Sequence, residues 1–505
     1  MRCKSIYFIF LHIGLVFLGF VSVSFSFTAA AQNGSAEASV TGHCIRTVSG
    51  KVLSSANAGK NFIPASNMKT ISCGLALKAC GTDARLKTVL AHSGEIDEDG
   101  RLDGDLFIIG GADPSLGYRL NGEEAEKAVM CEWCNAVKNA GITAIDGNIT
   151  ACADAVEAEY NGSWMYEDYG TYFGAVCSGL MFNANRINCQ VSPGKSAGEP
   201  VSIRPHNGYP WLMLENKCVT ADAGTGDRTY LYLGEFAPAG RFSGTYAVDK
   251  PRKTVAYNDP FADFTCAWRL CEGLAAAGIS CRGVSCTSPS HPLCVFERNS
   301  IESPPSFSFV AQEKAAIIPD SLTTIATHYS PAMENMVRTT LYESNNLYAE
   351  ALLHMLAGTE KPLRTTGESL KKEAEMLAQL GIDCSNVRIA DGSGLSRKNS
   401  VSPEFLTAFL AAMSETDVFQ AYLDCFPTAE DAAFLTASEP ELRRRVRVKS
   451  GSMSGVLCYC GYVLPRKPGG QILVFSLMSN GNVASYSRMR RHLEDILLVS
   501  VEFSD

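Results

Sequence analysis

The chain has 505 residues, 46% of them apolar and 19% charged, with a formal net charge of −9. That composition is globular, allows about three domains, and argues against nucleic acid as a partner. No low-complexity tract or internal repeat breaks it.

Residues 1–31 read as a secretory signal: Arg2 and Lys4, an apolar run over residues 6–27, and Ala29, Ala30 and Ala31 before Gln32. The run is long for a signal, so an uncleaved single-helix anchor, with a loose hold at a membrane, is the alternative. Either way the rest of the chain is expected outside the cytoplasm, in a periplasm or an equivalent compartment. There are 19 cysteines, and removing Cys3 with the signal leaves an even number. In an oxidising compartment some should pair. Cys281, Cys286 and Cys294, with Cys266, Cys271 or Cys218, are candidates whose connectivity the sequence does not decide. Cys131 and Cys134 form a C-x-x-C without a second pair nearby, so they read as thiols or one disulfide rather than half a zinc site.

Residues 44–63 predict a hairpin turning at Ser49 and Gly50. A helix follows, with Met68, Ile71, Leu75 and Lys78 at helical spacing, Ser66 near its start and Gly81 at its end. Residues 91–310 change to short strands, glycines and loops, and read as an insertion of two nested, mostly-β domains. Helical patterning resumes near residue 311. The C-terminal stretch reads as three strands in an antiparallel meander, with Cys458 and Cys460 on one core-facing side, and then a last helix packed on that sheet. Residues 32–90 and 311–505 are therefore expected to form one discontinuous α/β domain.

Ser66 and Lys69 stand one helical turn apart, so the lysine can reach the serine hydroxyl. A serine is a weak nucleophile until a base takes its proton. An amine can be that base if burial or a neighbouring cation lowers its basicity, and a helix N-terminus favours negative charge on the serine oxygen. The pattern S-x-x-K alone is cheap: Ser192/Lys195 and Ser369/Lys372 repeat it. Penicillin-recognising acyl-enzymes add a later S-x-N and a still later K-[ST]-G on a strand. The single K-[ST]-G is Lys449, Ser450 and Gly451. S-x-N occurs at Ser344, Asn345 and Asn346, and again, out of order, at Ser55, Ala56 and Asn57. Only Ser66, Ser344 and Lys449 combine the right order with the right local structure.

With these residues in view, "PASNMKT", "ESNNLYAE", "DGSGLS", "VKSGSMSG", "GGADPSL" and "PGKSAGEP" resemble the signatures of the low-molecular-mass, class C penicillin-binding proteins, serine-type D-alanyl-D-alanine carboxypeptidases and endopeptidases. The resemblance runs from about residue 42 to 498. It implies an α/β (α+β) fold of the penicillin-recognising serine transpeptidase and β-lactamase kind, an antiparallel sheet flanked by helices, with two inserted domains filling the long gap between Ser66 and Ser344. It implies peptidoglycan stem peptides as substrate and β-lactam antibiotics as covalent inhibitors.

By position, the resemblance makes Ser66 the acylated nucleophile, Lys69 its general base and Ser344 the proton relay to the leaving D-alanine. It has Asn346 bind the substrate amide, and Lys449 and Ser450 hold the terminal carboxylate. Backbone N–H groups of Ser66 and Ser452, beside Gly451, form the oxyanion hole. Position 450 departs from the family's usual threonine but keeps the hydroxyl. Position 345 is asparagine where aspartate is common, and as the middle residue it is expected to matter less. Asp168, with Phe173 beside it, falls where the inserted domain of such enzymes reaches over the cleft. There it is either a partner for an ammonium on the stem peptide or an ordinary loop residue. Asp391 either contributes polar contacts near the site or stabilises a turn.

Other chemistries are poorly served. Gly194, Ser196 and Gly198 match G-x-S-x-G but lack the strand, sharp turn and helix that motif needs. The eight histidines show no H-x-x-x-H spacing, and no phosphate-cradling glycine loop appears, so no cofactor or metal is expected. The rival reading is a serine β-lactamase, which shares the acylation. The lifetime of a penicillin adduct on Ser66 separates it from a D,D-peptidase.

Overall fold

The computed structural model describes residues 39–118, 124–234, 237–287, 294–295, 308–309, 317–358, 363–467 and 469–502. The expected signal, Cys3 and the side chain of Cys294 lie outside the described residues. The chain divides into two compact units. One takes the segment ending at Asn67 together with Ser400–Ala411 and Pro427–Asp505; the other takes Met68–Asn399 and Ala412–Phe426.

The first unit is built on the expected hairpin and meander. The strands β1 (Val40–Thr47), β2 (Val52–Ala56), β3 (Val446–Met453), β4 (Val456–Val463) and β5 (Leu473–Asn480) form a five-stranded sheet in the order β3-β4-β5-β1-β2. Every neighbouring pair is antiparallel. Gly50, at φ 100°, supplies the left-handed turn between β1 and β2 that a side chain would resist. β4 is buried along its whole length, which explains its unbroken apolar run VLCYCGYV and places Cys458 and Cys460 in the core. The C-terminal helix Tyr486–Glu502 presents Met489, Leu493, Leu497 and Val501, spaced four apart, to Val448, Leu457, Tyr459 and Phe475 of the sheet.

In the second unit, α1 (Lys69–Cys80) is buried from Lys69 through Leu77 and ends at Gly81, whose N–H donates to Leu77 O. It packs against α2 (Met333–Glu343) and α3 (Asn346–Met355), and α4 (Thr366–Gln379) lies beside α3. Ser344 separates two helices of this stretch. Ser344 ends α2 in a left-handed conformation at φ 55°, and Asn345 starts α3 by accepting a hydrogen bond from Tyr348 N.

The segment between α1 and α2 is mainly strand. A seven-stranded mixed sheet includes Lys87–His92 and Thr323–Tyr329, so it reaches beyond residues 91–310 at both ends. Its parallel pairings need crossover helices. Glu124–Asn139 and Ala262–Ala276 provide two, packing Trp133, Val137, Leu270 and Leu274 into the core. A four-stranded, a three-stranded and a two-stranded sheet belong to the same region. Among the candidate cysteines, Cys271 and Cys281 bring their sulfurs to 2.8 Å, while Cys218 and Cys266 are buried free thiols. Cys131 is exposed and Cys134 buried, both as free thiols on one helix. Among the described residues no helix is long and apolar enough to cross a membrane.

Candidate active site

Lys69 is the first residue of α1 and is fully buried. Its Nζ donates to Asn346 Oδ1 and to the carbonyl of Ser393, both at 2.6 Å. Asn346 opens α3, and its orientation follows from the break before it. The left-handed Ser344 and the cap at Asn345 turn the chain so that the first side chain of α3 faces the start of α1. The other end of the same amide is also engaged, with Nδ2 donating to Phe173 O at 2.7 Å. Asn345 does more than a neutral middle residue: it caps the helix that carries Asn346, a task aspartate performs equally well.

The second acceptor of Lys69 comes from the DGSGLS loop. Asp391, fully buried, accepts from Gly394 N, Ser396 N, Asn399 Nδ2 and Trp164 Nε1. Asp391 thus stabilises its own turn and also ties the loop to Trp164 and Asn399. The loop is tied on both sides. Gly392 O accepts from Ser72 Oγ of α1 at 2.9 Å, and the N–H groups of Gly392 and Ser393 donate to the carboxylate of Glu350 on α3. These ties escaped the sequence reading. The available signal was spacing: Ser72 lies three residues after Lys69, and Glu350 four after Asn346, each on the same helix face.

Ser66 belongs to the unit that holds the five-stranded sheet. It sits half-buried in the 3-10 turn Ala65–Met68, which runs directly into α1 and Lys69. The preceding residue, Ala65, is held at φ 48°, a conformation that costs an L-residue about 1–2 kcal/mol. Such outliers persist only where surrounding structure enforces them. β3 runs close against this turn. A Cβ on Gly451 would stand 2.7 Å from Pro64 O, 2.9 Å from Ser66 N and 3.0 Å from Asn67 N, so only glycine lets the strand approach the turn at Ser66 this closely. Lys449, two residues earlier and hence on the same face, is buried, with Nζ donating to Ser450 O at 2.6 Å. Ser450 is half-buried and Ser452 exposed, on a strand at the end of the sheet order.

Ser344 is half-buried. Beside it, Tyr118 Oη donates to Glu343 Oε2 at 3.2 Å. The Arg186 guanidinium lies 4.7 Å from the ring centres of both Tyr118 and Tyr172. Burial raises the Glu343 carboxyl, against the pull of Tyr118 and Arg186. Asp168 closes the short turn Tyr166–Asp168 and is half-buried. Burial raises its carboxyl, opposed by the Met165 N–H and by Arg397. The remaining S-x-x-K copies have other surroundings. Ser369 is buried on α4, with Oγ donating to Thr365 O and 3.1 Å from His354 Nδ1. Ser192 ends the strand Arg186–Ser192. Ser196 lies in the turn after it, without the strand-to-helix elbow that G-x-S-x-G requires. Among the described residues no His, Cys, Asp or Glu cluster is arranged to hold a metal ion.

Three comparisons bear on this arrangement. The model of the D-Ala-D-Ala carboxypeptidase 3 (S13) family matches residues 25–234 and 310–498. A D-alanyl-D-alanine carboxypeptidase of Actinomadura sp. (strain R39) is 24% identical over 464 residues, covering 87% of this chain and 77% of that protein. The D-alanyl-D-alanine carboxypeptidase DacB of Haemophilus influenzae is 21% identical over 443 residues, covering 85% and 83%. The crystal structure of penicillin binding protein 4 (dacB) from Haemophilus influenzae has the same fold, with a TM-score of 0.75 at 20% identity over 91% of this chain and 97% of that one.

Proposed function

The chain belongs to the D-Ala-D-Ala carboxypeptidase 3 (S13) family, and from that premise we propose how its own residues carry the reaction. The protein is a serine-type D,D-peptidase of peptidoglycan stem peptides, acylated by penicillin. Ser66 Oγ attacks the carbonyl of the penultimate D-alanine while its proton passes to Lys69 Nζ. The tetrahedral oxyanion is held by the N–H groups of Ser66 and Ser452. As it collapses, Ser344 relays a proton to the departing amine, leaving an ester on Ser66. Water, deprotonated by Lys69, then hydrolyses that ester and restores the serine.

Asn346 binds the substrate amide, and Lys449 with Ser450 holds the terminal carboxylate as ion pair and hydrogen bond. Asp168 faces an ammonium of the stem peptide. Residues 1–31 direct export to the periplasm or an equivalent compartment, and residues 32–90 and 311–505 form the peptidase domain, interrupted by the inserted region 91–310, whose mixed sheet also takes in Lys87–His92 and Thr323–Tyr329.

The observation that carries this reading is the placement of Lys69. Its Nζ donates at 2.6 Å to two oxygens, one held by α3 and one by the Asp391 loop. The amine is thereby oriented on the helix that Ser66 leads into, rather than left to rotate. The test uses a fluorescent penicillin and a D-Ala-D-Ala peptide. Wild type is expected to take one label per chain and to release D-alanine. Ser66→Ala and Lys69→Ala are expected to do neither, with labelling down by about 10³-fold or more. Equal labelling of wild type and Ser66→Ala would falsify the assignment.

A further inference from the structure

We infer that Glu350 is a positioning residue for the acylating lysine, fixing through the Gly392–Ser393 backbone the carbonyl on which Lys69 Nζ rests. The inference depends on the reading of Ser66 and Lys69 just given. Four hydrogen bonds make the connection. Glu350 Oε1 accepts from Ser393 N at 2.8 Å, and Oε2 from Gly392 N at 3.1 Å. Ser393 O in turn accepts from Lys69 Nζ at 2.6 Å, and Asn346 Oδ1 accepts from the same nitrogen at 2.6 Å. Asn346 and Glu350 are one turn apart on α3. One face of one helix therefore sets both acceptors of the lysine: the first by direct contact, the second through the loop. A rotation or slide of α3 moves both together, which keeps the amine's approach direction constant.

The chemistry of the contact favours a carboxylate over any neutral side chain. Both groups that Glu350 meets are N–H donors, and an ionised carboxylate is acceptor-only at both oxygens. A glutamine would present one acceptor and one NH2, and the NH2 would face a backbone N–H. Keeping the carboxylate here is costly. Glu350 is buried, and burial and then Asp391 raise its carboxyl, while the Ser393 and Gly392 contacts oppose the rise. Glu373 of α4 faces it as a second buried carboxyl, and both Glu373 oxygens lack a hydrogen-bond partner. Two buried acids side by side differ in one respect: only Glu350 touches the loop that holds the lysine.

That difference supplies the experiment. The full-length protein is mixed with a chromogenic cephalosporin in a stopped-flow instrument, and the first-order acylation constant is separated from the dissociation constant of the encounter complex. Glu350→Gln is expected to lower the acylation constant by about tenfold or more while affinity stays within about twofold, because the ground-state complex does not need the lysine poised. Glu373→Gln, which alters the same buried region without touching the loop, is expected to leave both constants at wild-type values. Ser72→Ala removes the tie on Gly392 O from α1 and is expected to slow acylation about threefold. It decides the matter should Glu350→Gln fail to fold.

Acylation by Glu350→Gln or Ser72→Ala at the wild-type rate overturns the inference. So does a loss confined to affinity, or an equal loss in Glu373→Gln. A wild type that is not acylated on Ser66 overturns the functional reading as well, whereas normal wild-type acylation beside an indifferent Glu350→Gln overturns this inference alone.

Discussion

Ala65 has no functional group, yet its backbone bears on the chemistry proposed for Ser66. Its φ of 48° is unfavourable for any L-residue, and it is buried immediately before Ser66. Ser344, at φ 55°, repeats the pattern at the second serine. Both residues thus sit where backbone strain is exchanged for orientation. Ala65→Gly tests the exchange. Glycine adopts the conformation without penalty but has more freedom to lose on folding, so thermal stability should stay within about 1 kcal/mol of wild type. Acylation of Ser66 should nevertheless slow by about three- to tenfold, because the turn is no longer confined to one conformation. Melting curves and acylation rates on the same preparation check the pair of outcomes. A variant that is destabilised but acylates normally would show the strain to be incidental.

At the scale of elements, the close approach of β3 to the turn at residues 64–67 is a property of Gly451. The three atoms that a new Cβ would meet are all backbone, so a longer side chain cannot be absorbed by rotamer change. Gly451→Ala must displace either the strand or the Ser66 N–H, and a displaced oxyanion donor typically lowers acyl-transfer rates by about 10²-fold or more. The expected result is a loss of that order in acylation with the protein still folded. Ser450→Thr, which keeps the hydroxyl, should stay within about threefold of wild type. Rates with a slowly hydrolysed β-lactam measure both.

Ser66, Lys69, Asn346, Lys449 and Gly451 were legible as candidates because each lies in a short local pattern: a turn of helix, a helix start, a strand. The ties that orient them were not. Ser393 O on Lys69, Glu350 on the loop and Trp164 Nε1 on Asp391 join distant positions or pass through backbone atoms, so spacing on one helix face could suggest that Glu350 points the same way as Asn346 but not what it meets. The break at Ser344 is equally hard to read from the sequence. The apolar periodicity continues across it, and only the backbone angle reveals the end of one helix and the start of the next.

For the molecule as a whole, the buried ionisable groups set how stability responds to pH. Burial, then Glu350 and Asp391, lift Glu373 from 4.5 to about 8. Between those values the native chain holds a proton on Glu373 that the unfolded chain has released. This contribution to stability is complete below pH 4.5 and is lost as pH rises through 8. His354 works in the other direction. Burial, then the neighbouring Arg364, lower it from 6.5 to about 4, so the unfolded chain binds the extra proton and stability is lost as pH falls from 6.5 to 4.

The two effects oppose each other between 4.5 and 6.5, and above 6.5 the Glu373 effect acts without that opposition. Glu373→Gln therefore separates them. Near pH 4.5 its melting temperature should lie close to that of wild type, since a neutral amide replaces a neutral acid. From pH 4.5 to 8 the wild type should fall progressively behind, by a few degrees at the upper end, because the His354 effect is common to both proteins. A parallel pair of melting-temperature curves across that range would mean that Glu373 ionises in the native state without penalty, and that water or a counter-charge reaches a carboxyl the fold has enclosed.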